Sequence, residues 1–471
     1  MRTRVDLSAE HSPWQHIVGA FQNFYDFSIL WEIIRSWFDT LRNSIPDLPD
    51  NPDLSGPGHG RSERVLNFYF FITVYYGFYN LVGLFWITKV FNMYSLNWWP
   101  TLLGFPLSFT IFNLLPLSIG VLLYRSLPGQ LITANLTWIL LTFATMCCPL
   151  FIASISLLFQ RRHAHHATPS EVQTLFTFRP SSALRSRRPP LNHWLRTLTL
   201  PRSYKRFLWF SLSLFLTLTA LVLGEAYAEL YLRTLPHSDL ETVIYVWSWV
   251  LTIHTLDLTT GWILGARVGS YPLGVVFKLY FNLTYQVYVR ALYARLRSPS
   301  QFMYLQLLSS SIAILWNPIT MTRPFHRLLT LLWLNNQSYA GWKKTVGRSF
   351  FVRGLAENVS MLAWLGWVLV LHYGANRKVY PYFAFDDRLG EGESGGYTFS
   401  LTFWASLGTW AAELCAAWIV RRVFMWGWGF AVTKEGVRDM VNYPELAPAL
   451  GVVCLHVLLS MLFSIVRLRF Y

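Results

Sequence analysis

Charge is what this sequence has least of. Asp, Glu, Lys and Arg make up only 13% of its 471 residues, against about 25% in an ordinary soluble domain. Acid is the scarcer sign, with 24 Asp and Glu set against 39 Lys and Arg, a formal net charge of +15. There is no Walker phosphate loop and no H-E-x-x-H pair, so neither nucleotide-driven pumping nor zincin chemistry has a motif to rest on. Cysteine is rare too: Cys147, Cys148, Cys415 and Cys454 all fall in apolar runs. They read as small buried side chains, not as a disulfide framework or a zinc motif. The opening stretch, MRTRVDLSAEHSPWQ, has no apolar core, which predicts no cleavable signal peptide. The sequence carries no myristoylation or prenylation signal.

What the chain has instead is apolar length. Hydrophobic residues are 53% of it, aromatics 17%, and the mean hydropathy is +0.34. The apolar residues come in blocks of about 20, enough for a helix to cross a hydrocarbon layer of about 30 Å. Only helices and closed barrels satisfy every backbone amide there, and the in–out alternation of barrel strands is missing. The fold class expected is therefore all-α: a polytopic transmembrane helix bundle of about 10 membrane helices (9–11), with amphipathic interfacial helices. The spans expected are 65–90, 98–124, 131–159, 207–232, 241–266, 272–294, 301–321, 356–375, 398–420 and 446–466. The second holds Pro100, Pro106 and Pro116, which favour a kink or a re-entrant segment. The sixth, with Lys278 and Arg290 among many tyrosines, has an alternative place in the interface. Residues 13–38 and a stretch within 326–353 are the amphipathic candidates. The 22 Trp and 24 Tyr suit membrane–water boundaries.

The chain divides into an N-terminal cytoplasmic or interfacial segment (1–64), a first membrane helix group (65–159), a basic linker (160–206) and the main bundle (207–471). The linker concentrates Arg161, Arg162, Arg185, Arg187 and Arg188. By the positive-inside rule it lies in the cytoplasm, facing anionic lipid headgroups; its charge gives no reason to invoke nucleic acid. The loops near 322–355 and 421–445 are also basic, whereas those near 233–240 and 376–397 are acidic or nearly neutral. This alternation is consistent from residue 160 onward. Ten full crossings would put both termini outside, so a cytoplasmic amino terminus requires 98–124 to re-enter or 13–38 to cross.

Ionisable groups inside apolar helices carry the functional expectation, because each costs at least about 2.5–3.5 kcal/mol at mid-bilayer. His254 and Asp257 share a face of the fifth span at i,i+3. Glu413 and His456 sit near the middles of the ninth and tenth spans, and Glu225 and Glu229 form an i,i+4 pair in the fourth. One reading joins them in a polar lane that binds an ion or relays protons. A second makes His254, His372 and His456, with Asp257, a zinc site for an intramembrane hydrolase. A third has each group pairing with a neighbouring helix as structural glue. Depth argues against one three-histidine site, since His372 lies near a helix end. No bound metal or cofactor is expected. The class favoured is a secondary transporter or channel-like carrier of an ion or small solute, with a structural or adaptor membrane protein as the alternative.

Two stretches, SYPLGVVFKLYFNLTYQVYVRALYARLRSPSQF (270–302) and YPYFAFDD (380–387), resemble uncharacterised multi-pass membrane proteins of filamentous fungi. The resemblance covers the last half of the chain. It implies a plasma membrane or endomembrane of a eukaryote and names no activity.

Overall fold

A computed structural model describes residues 68–94, 107–132, 134–164, 202–233, 239–293, 299–332, 337–373, 399–465 and 468. The expected interfacial helix at 13–38, most of the basic linker with Arg185, Arg187 and Arg188, and the acidic loop near 376–397 lie outside the described residues. Among the described residues every regular element is helical. In chain order these are α1 (Phe68–Tyr94), α2 (Leu107–Ser126), α3 (Gly129–Ile132), α4 (Asn135–Ala164), α5 (Arg202–Arg233), α6 (Asp239–Ile263) and α7 (Tyr271–Tyr293). There follow α8 (Pro299–Met321), α9 (Arg323–Leu331), α10 (Tyr339–Tyr373), α11 (Phe399–Trp428), α12 (Val432–Asn442) and α13 (Leu446–Ile465).

A long helix occupies each of the ten stretches expected to span. Seven of them, α1, α2, α4, α5, α10, α11 and α13, are long and apolar enough to cross a bilayer. Among the described residues these seven meet that measure, against the about ten spans expected. Helix α7 falls short because Lys278, Asn282, Gln286 and Arg290 interrupt its apolar residues. For α6 and α8, side chains are described only from Trp247 and Ser310 onward, less than a full span. Pro116 sits inside α2 without ending it, because the helix continues to Ser126.

The interior placement of α7 is the main surprise. It packs against α1, α5, α6, α10 and α13. Phe277, Tyr280, Leu283, Thr284 and Val287 along it are buried. The alternative of an interfacial sixth segment is therefore corrected: polar residues on α7 reflect partners inside the bundle, not a place at its edge. Apolar residues from α1, α4, α5, α7, α10 and α13 form one large core. A smaller core of Met321, Phe350, Val420, Phe424 and Val432 joins α8, α10, α11 and α12.

Large apolar side chains also cover much of the bundle's outer surface. Leu258 is 73% exposed and Trp426 80%. Leu107, Phe151, Leu251 and Trp404 also face outward. Exposed apolar area is unfavourable in water at about 25 cal/mol per Å², and contiguous patches of it mark contact with another apolar phase.

Contacts between helix ends fix two faces. At the first end Arg206 lies over the Tyr94 ring at 5.9 Å and Arg267 over Trp209 at 5.5 Å. Tyr271 donates to Asp439 Oδ2 at 2.7 Å there, and Arg348 pairs with Asp439 Oδ1 at 2.6 Å. At the second end Phe68 stacks on Tyr124 at 3.7 Å, and Asn135 Nδ2 donates to the Phe463 carbonyl at 2.5 Å. Successive long helices thus run in alternation. The C-terminal end of α4, the start of α5, and both short helices α9 and α12 collect at the first end, with Arg323, Arg327, Lys343, Lys344, Arg421, Arg422, Lys434 and Arg438. All three segments expected to share the basic side flank this one end.

Close packing depends on glycine at a few contacts. A methyl group on Gly224 in α5 would run into the buried Tyr288 ring of α7, while one on Gly366 in α10 would meet nothing within 4 Å. Gly224→Ala is expected to destabilise the fold by about 1–3 kcal/mol through overpacking. Gly366→Ala should leave stability unchanged or slightly raised, since Ala is the better helix former. Thermal unfolding of the two variants in detergent checks this contrast.

Candidate functional site

Arg290 organises the polar interior. Its side chain is 2% exposed, and its Nη2 pairs with Glu413 Oε2 of α11 at 2.8 Å. Its Nε donates to Ser360 Oγ of α10 at 3.3 Å, and Nη2 also reaches the Glu357 carbonyl at 3.5 Å. Ser360 Oγ in turn donates to that same carbonyl at 3.0 Å. A buried guanidinium is tolerated only when its charge and its N–H groups are met together, and here two neighbouring helices meet them. One turn away on α10, Arg353 Nε pairs with Glu357 Oε1 at 2.8 Å, the favourable i,i+4 spacing. Trp410 Nε1 of α11 donates to Asn358 Oδ1 at 2.9 Å and ties the same two helices beside the charges.

Arg353, Glu357, Glu413 and Tyr285 line one cavity, with Ser310 and Asn317 of α8 and apolar Phe350 and Val420 completing it. Arg353, Glu357 and Glu413 lie near the mid-length of α10 and α11, and Ser310 near that of α8. The cavity holds about 40 Å³, room for about three ordered waters or one small ion. On the adjoining face Asp257 Oδ2 of α6 pairs with Lys278 Nζ of α7 at 3.3 Å. His254 is exposed, with its ring 6.4 Å from Tyr285, and it lies within electrostatic reach of Asp257, Lys278 and Arg353. Asp257, Glu357 and Glu413 are thus set against Lys278, Arg290 and Arg353, three acids against three bases.

This arrangement keeps part of the expected polar lane and breaks the rest. Glu413 is in the cavity, and His254 and Asp257 flank it. His456 is not there. It is fully buried between α1 and α13, with its ring stacked on Tyr79 at 4.9 Å and on Trp86 at 5.8 Å. The reason is helical phase: α13 turns its inner face to α1 and α7, whereas Glu413 projects from α11 toward α10 and α7. Glu225 is also elsewhere, accepting from Ser464 Oγ at 3.1 Å. The side chains of Glu229, Arg161 and Arg162 lie outside what is described, although the backbones of all three are helical. His372 stacks on Phe399 at 4.0 Å near the second end, so the three histidines weighed for zinc stand apart. Among the described residues, no three His, Cys, Asp or Glu side chains gather as a metal site would require.

Sequence reasoning undervalued the cations. Lys278 and Arg290 read as marks of an interfacial helix, and Arg353 as part of a basic loop. The signal available was spacing: Arg353 and Glu357 stand one turn apart, and Gln286 and Arg290 repeat at the same interval on α7. The acidic loop also holds bare G-x-G-x-x-G and G-x-S-x-G spacings in GEGESGG (390–396). These are weak without a flanking strand and helix, and they lie outside the described residues.

A sequence model of the family described as SPCC553.12c matches residues 16–466. The chain belongs to the SPCC553.12c family. A relative from Schizosaccharomyces pombe, named "Uncharacterized protein C553.12c", is 38% identical over 462 residues, covering 98% of this chain and 83% of its own length. The fungal resemblance therefore extends across nearly the whole chain, beyond the last half expected, and reaches a fission yeast. No solved structure matches. The SPCC553.12c match takes in every residue of the ionic cluster, and it brings no named activity with it.

The cluster makes a mutational prediction. Arg290→Met leaves Glu413 partly buried without its base and should cost about 3–5 kcal/mol, whereas Arg290→Met with Glu413→Met removes both charges and should recover most of that loss. Thermal unfolding of single and double variants in detergent reads the difference.

Proposed function

We propose that this chain is an integral membrane protein and that its α7–α8–α10–α11 cavity binds a proton or a small inorganic ion during carriage across the bilayer. The observation carrying the reading is convergence: Arg353, Glu357 and Glu413 line a cavity of about 40 Å³ near the mid-length of α10 and α11, and Arg290, from the last turn of α7, pairs with Glu413 beside it. Intramembrane ionisable groups of this kind mark ion and proton pathways by default. Cavity size narrows the cargo to a proton or an ion of a few atoms. In this mechanism a proton or cation binds Glu413 or Glu357 and loosens its hold on Arg290 or Arg353. The freed guanidinium then holds the opposite state until the cargo leaves. Asp257 and Lys278 form the adjoining pair, and His254 tunes it.

The same proposal takes all ten long helices as crossings. The outward-facing apolar belt supports this, and so does the gathering of basic residues at one end, which the positive-inside rule assigns to the cytoplasm. Alternating crossings then place Phe68 and Ile465 on the opposite side, so a cytoplasmic amino terminus calls for one more crossing within residues 1–67. The membrane is one of a fungal cell, plasma membrane or endomembrane, and anionic headgroups are the partner of the basic end.

Charge balance favours a second reading. Every acid of the cluster has a base beside it, which is also what a purely structural bundle or adaptor requires. The hydrolase reading has little support, because its histidines occupy three different helix contacts.

Reconstitution separates the two. Purified protein in lipid vesicles should carry protons, or sodium or potassium ions, down an imposed gradient, read by a pH- or ion-sensitive dye. Glu413→Gln should slow that flux at least several-fold, while Asp439→Asn, at the first end, should leave it near the wild-type rate. Flux no greater than in empty vesicles, from protein that unfolds at its normal temperature, would sink the carrier reading in favour of the adaptor.

A further inference from the structure

A second polar feature lies on the other side of α7, and the ionic cavity does not use it. Four rings stand nearly parallel: Tyr79 on His456 at 9°, His456 on Trp86 at 10°, and Trp86 on Tyr280 at 13° with centroids 4.6 Å apart. All four side chains are fully buried. Their faces are satisfied by stacking, but their polar edges are not. Tyr79 Oη, Trp86 Nε1, Tyr280 Oη, and both Nδ1 and Nε2 of His456 have no hydrogen-bond partner from the protein. Ser460 Oγ, one turn beyond His456 on α13, is also without one. Ser460 Oγ lies beside the Tyr79 hydroxyl.

Buried polar atoms left bare are rare, and six in one place are harder still to accommodate. Two other buried indoles are satisfied, Trp138 Nε1 donating to the Ile132 carbonyl at 2.8 Å and Trp364 Nε1 to Ser406 Oγ at 3.1 Å, whereas Trp249 Nε1 also lacks a partner. What sets the stack apart is that six such atoms gather on it and on the neighbouring Ser460. The inventory also matches one kind of partner. It mixes donors only (Trp86), groups that donate and accept (the two tyrosines and Ser460), and a neutral imidazole that does one at each nitrogen. A charged ligand would need a counter-charge, and none of these six atoms supplies it. Water, which donates and accepts, fits the whole set.

We propose that the edges of the Tyr79–His456–Trp86–Tyr280 stack form a binding site for ordered water, a hydrated pocket buried at the middle of the bundle. The site continues along α13. Ser460 and Ser464 follow His456 at successive four-residue intervals on the buried face, and Ser464 ends the series on Glu225. The hydrated stripe leads from mid-bundle toward the second end, where Phe463 and Asn135 meet. It stands on its own observations and is independent of whether the ionic cavity carries an ion.

Radiolytic footprinting of the intact protein tests it, since X-ray pulses generate hydroxyl radicals from bound water as well as bulk water. Trp86 and Trp138 are equally buried, so bulk radicals reach them equally poorly. With water at the stack, Trp86 should oxidise several-fold faster than Trp138, and Tyr79 should be modified alongside it. His456→Phe keeps a flat ring in the stack and removes two hydrogen-bonding atoms, so it should cut Trp86 oxidation severalfold toward the Trp138 rate. Oxidation of Trp86 no faster than Trp138 in the wild-type protein overturns the proposal. So does a Trp86 rate unchanged by His456→Phe in a variant that folds; if that variant does not fold, the wild-type comparison decides alone.

Discussion

The Arg290–Glu413 ion pair is the constraint around which the rest of this bundle is arranged. A guanidinium that is almost wholly removed from solvent has to be met by a carboxylate and by further acceptors. Glu413 and the α10 backbone at Glu357 supply them. That requirement ties α7 to α10 and α11 at the rotation where Arg290, Glu413 and the Glu357 carbonyl face one another. Once α7 is held there, its other face is committed to α1 and α13. The aromatic stack and the ionic cavity thus become two sides of one helix.

Polarity in this protein is organised inward. Many of its outward-facing residues are Leu, Ile, Trp and Phe, whereas the paired charges Arg290 and Glu413 lie between helices. In water such a surface would be driven to associate. Against hydrocarbon it is neutral, and the interior charges become the costly feature. The cost is reduced where opposite signs sit together, as in Asp257 with Lys278 and Arg353 with Glu357. It is also reduced where a charge lies at an end, as with Arg348 on Asp439 under the Tyr271 ring. The two short amphipathic helices, α9 and α12, belong to this end, where one side of each meets the bundle rim and the other carries Arg323, Arg327, Lys434 or Arg438.

Two kinds of polar interior coexist. The ionic one is directional and linked to a cavity. The aromatic one is neutral and tightly stacked, with its unmet hydrogen-bonding capacity at the ring edges. Proline and glycine mark where helices accommodate these demands. Pro116 is absorbed inside α2, and Gly269, in the left-handed region at φ 68°, ends the π-turn that closes α6 before α7 begins.

The sequence by itself determined the all-helical class, the approximate place of ten long helices, the basic character of one end and the membership of Glu413 among interior charges. These follow from one-dimensional properties: block length, composition, and which segments carry Lys and Arg. Tertiary structure decided which charges meet. Periodicity puts His456 and Glu413 at the middles of their helices, but not the rotation that turns one toward Tyr79 and the other toward Arg290. The same holds for α7, whose lysine, arginine and tyrosines suit an interface as well as a buried core. Only the acids and backbone carbonyls brought up by α6, α10 and α11 distinguish the two places. Those partners are distant in sequence, so their supply is invisible until the helices are packed.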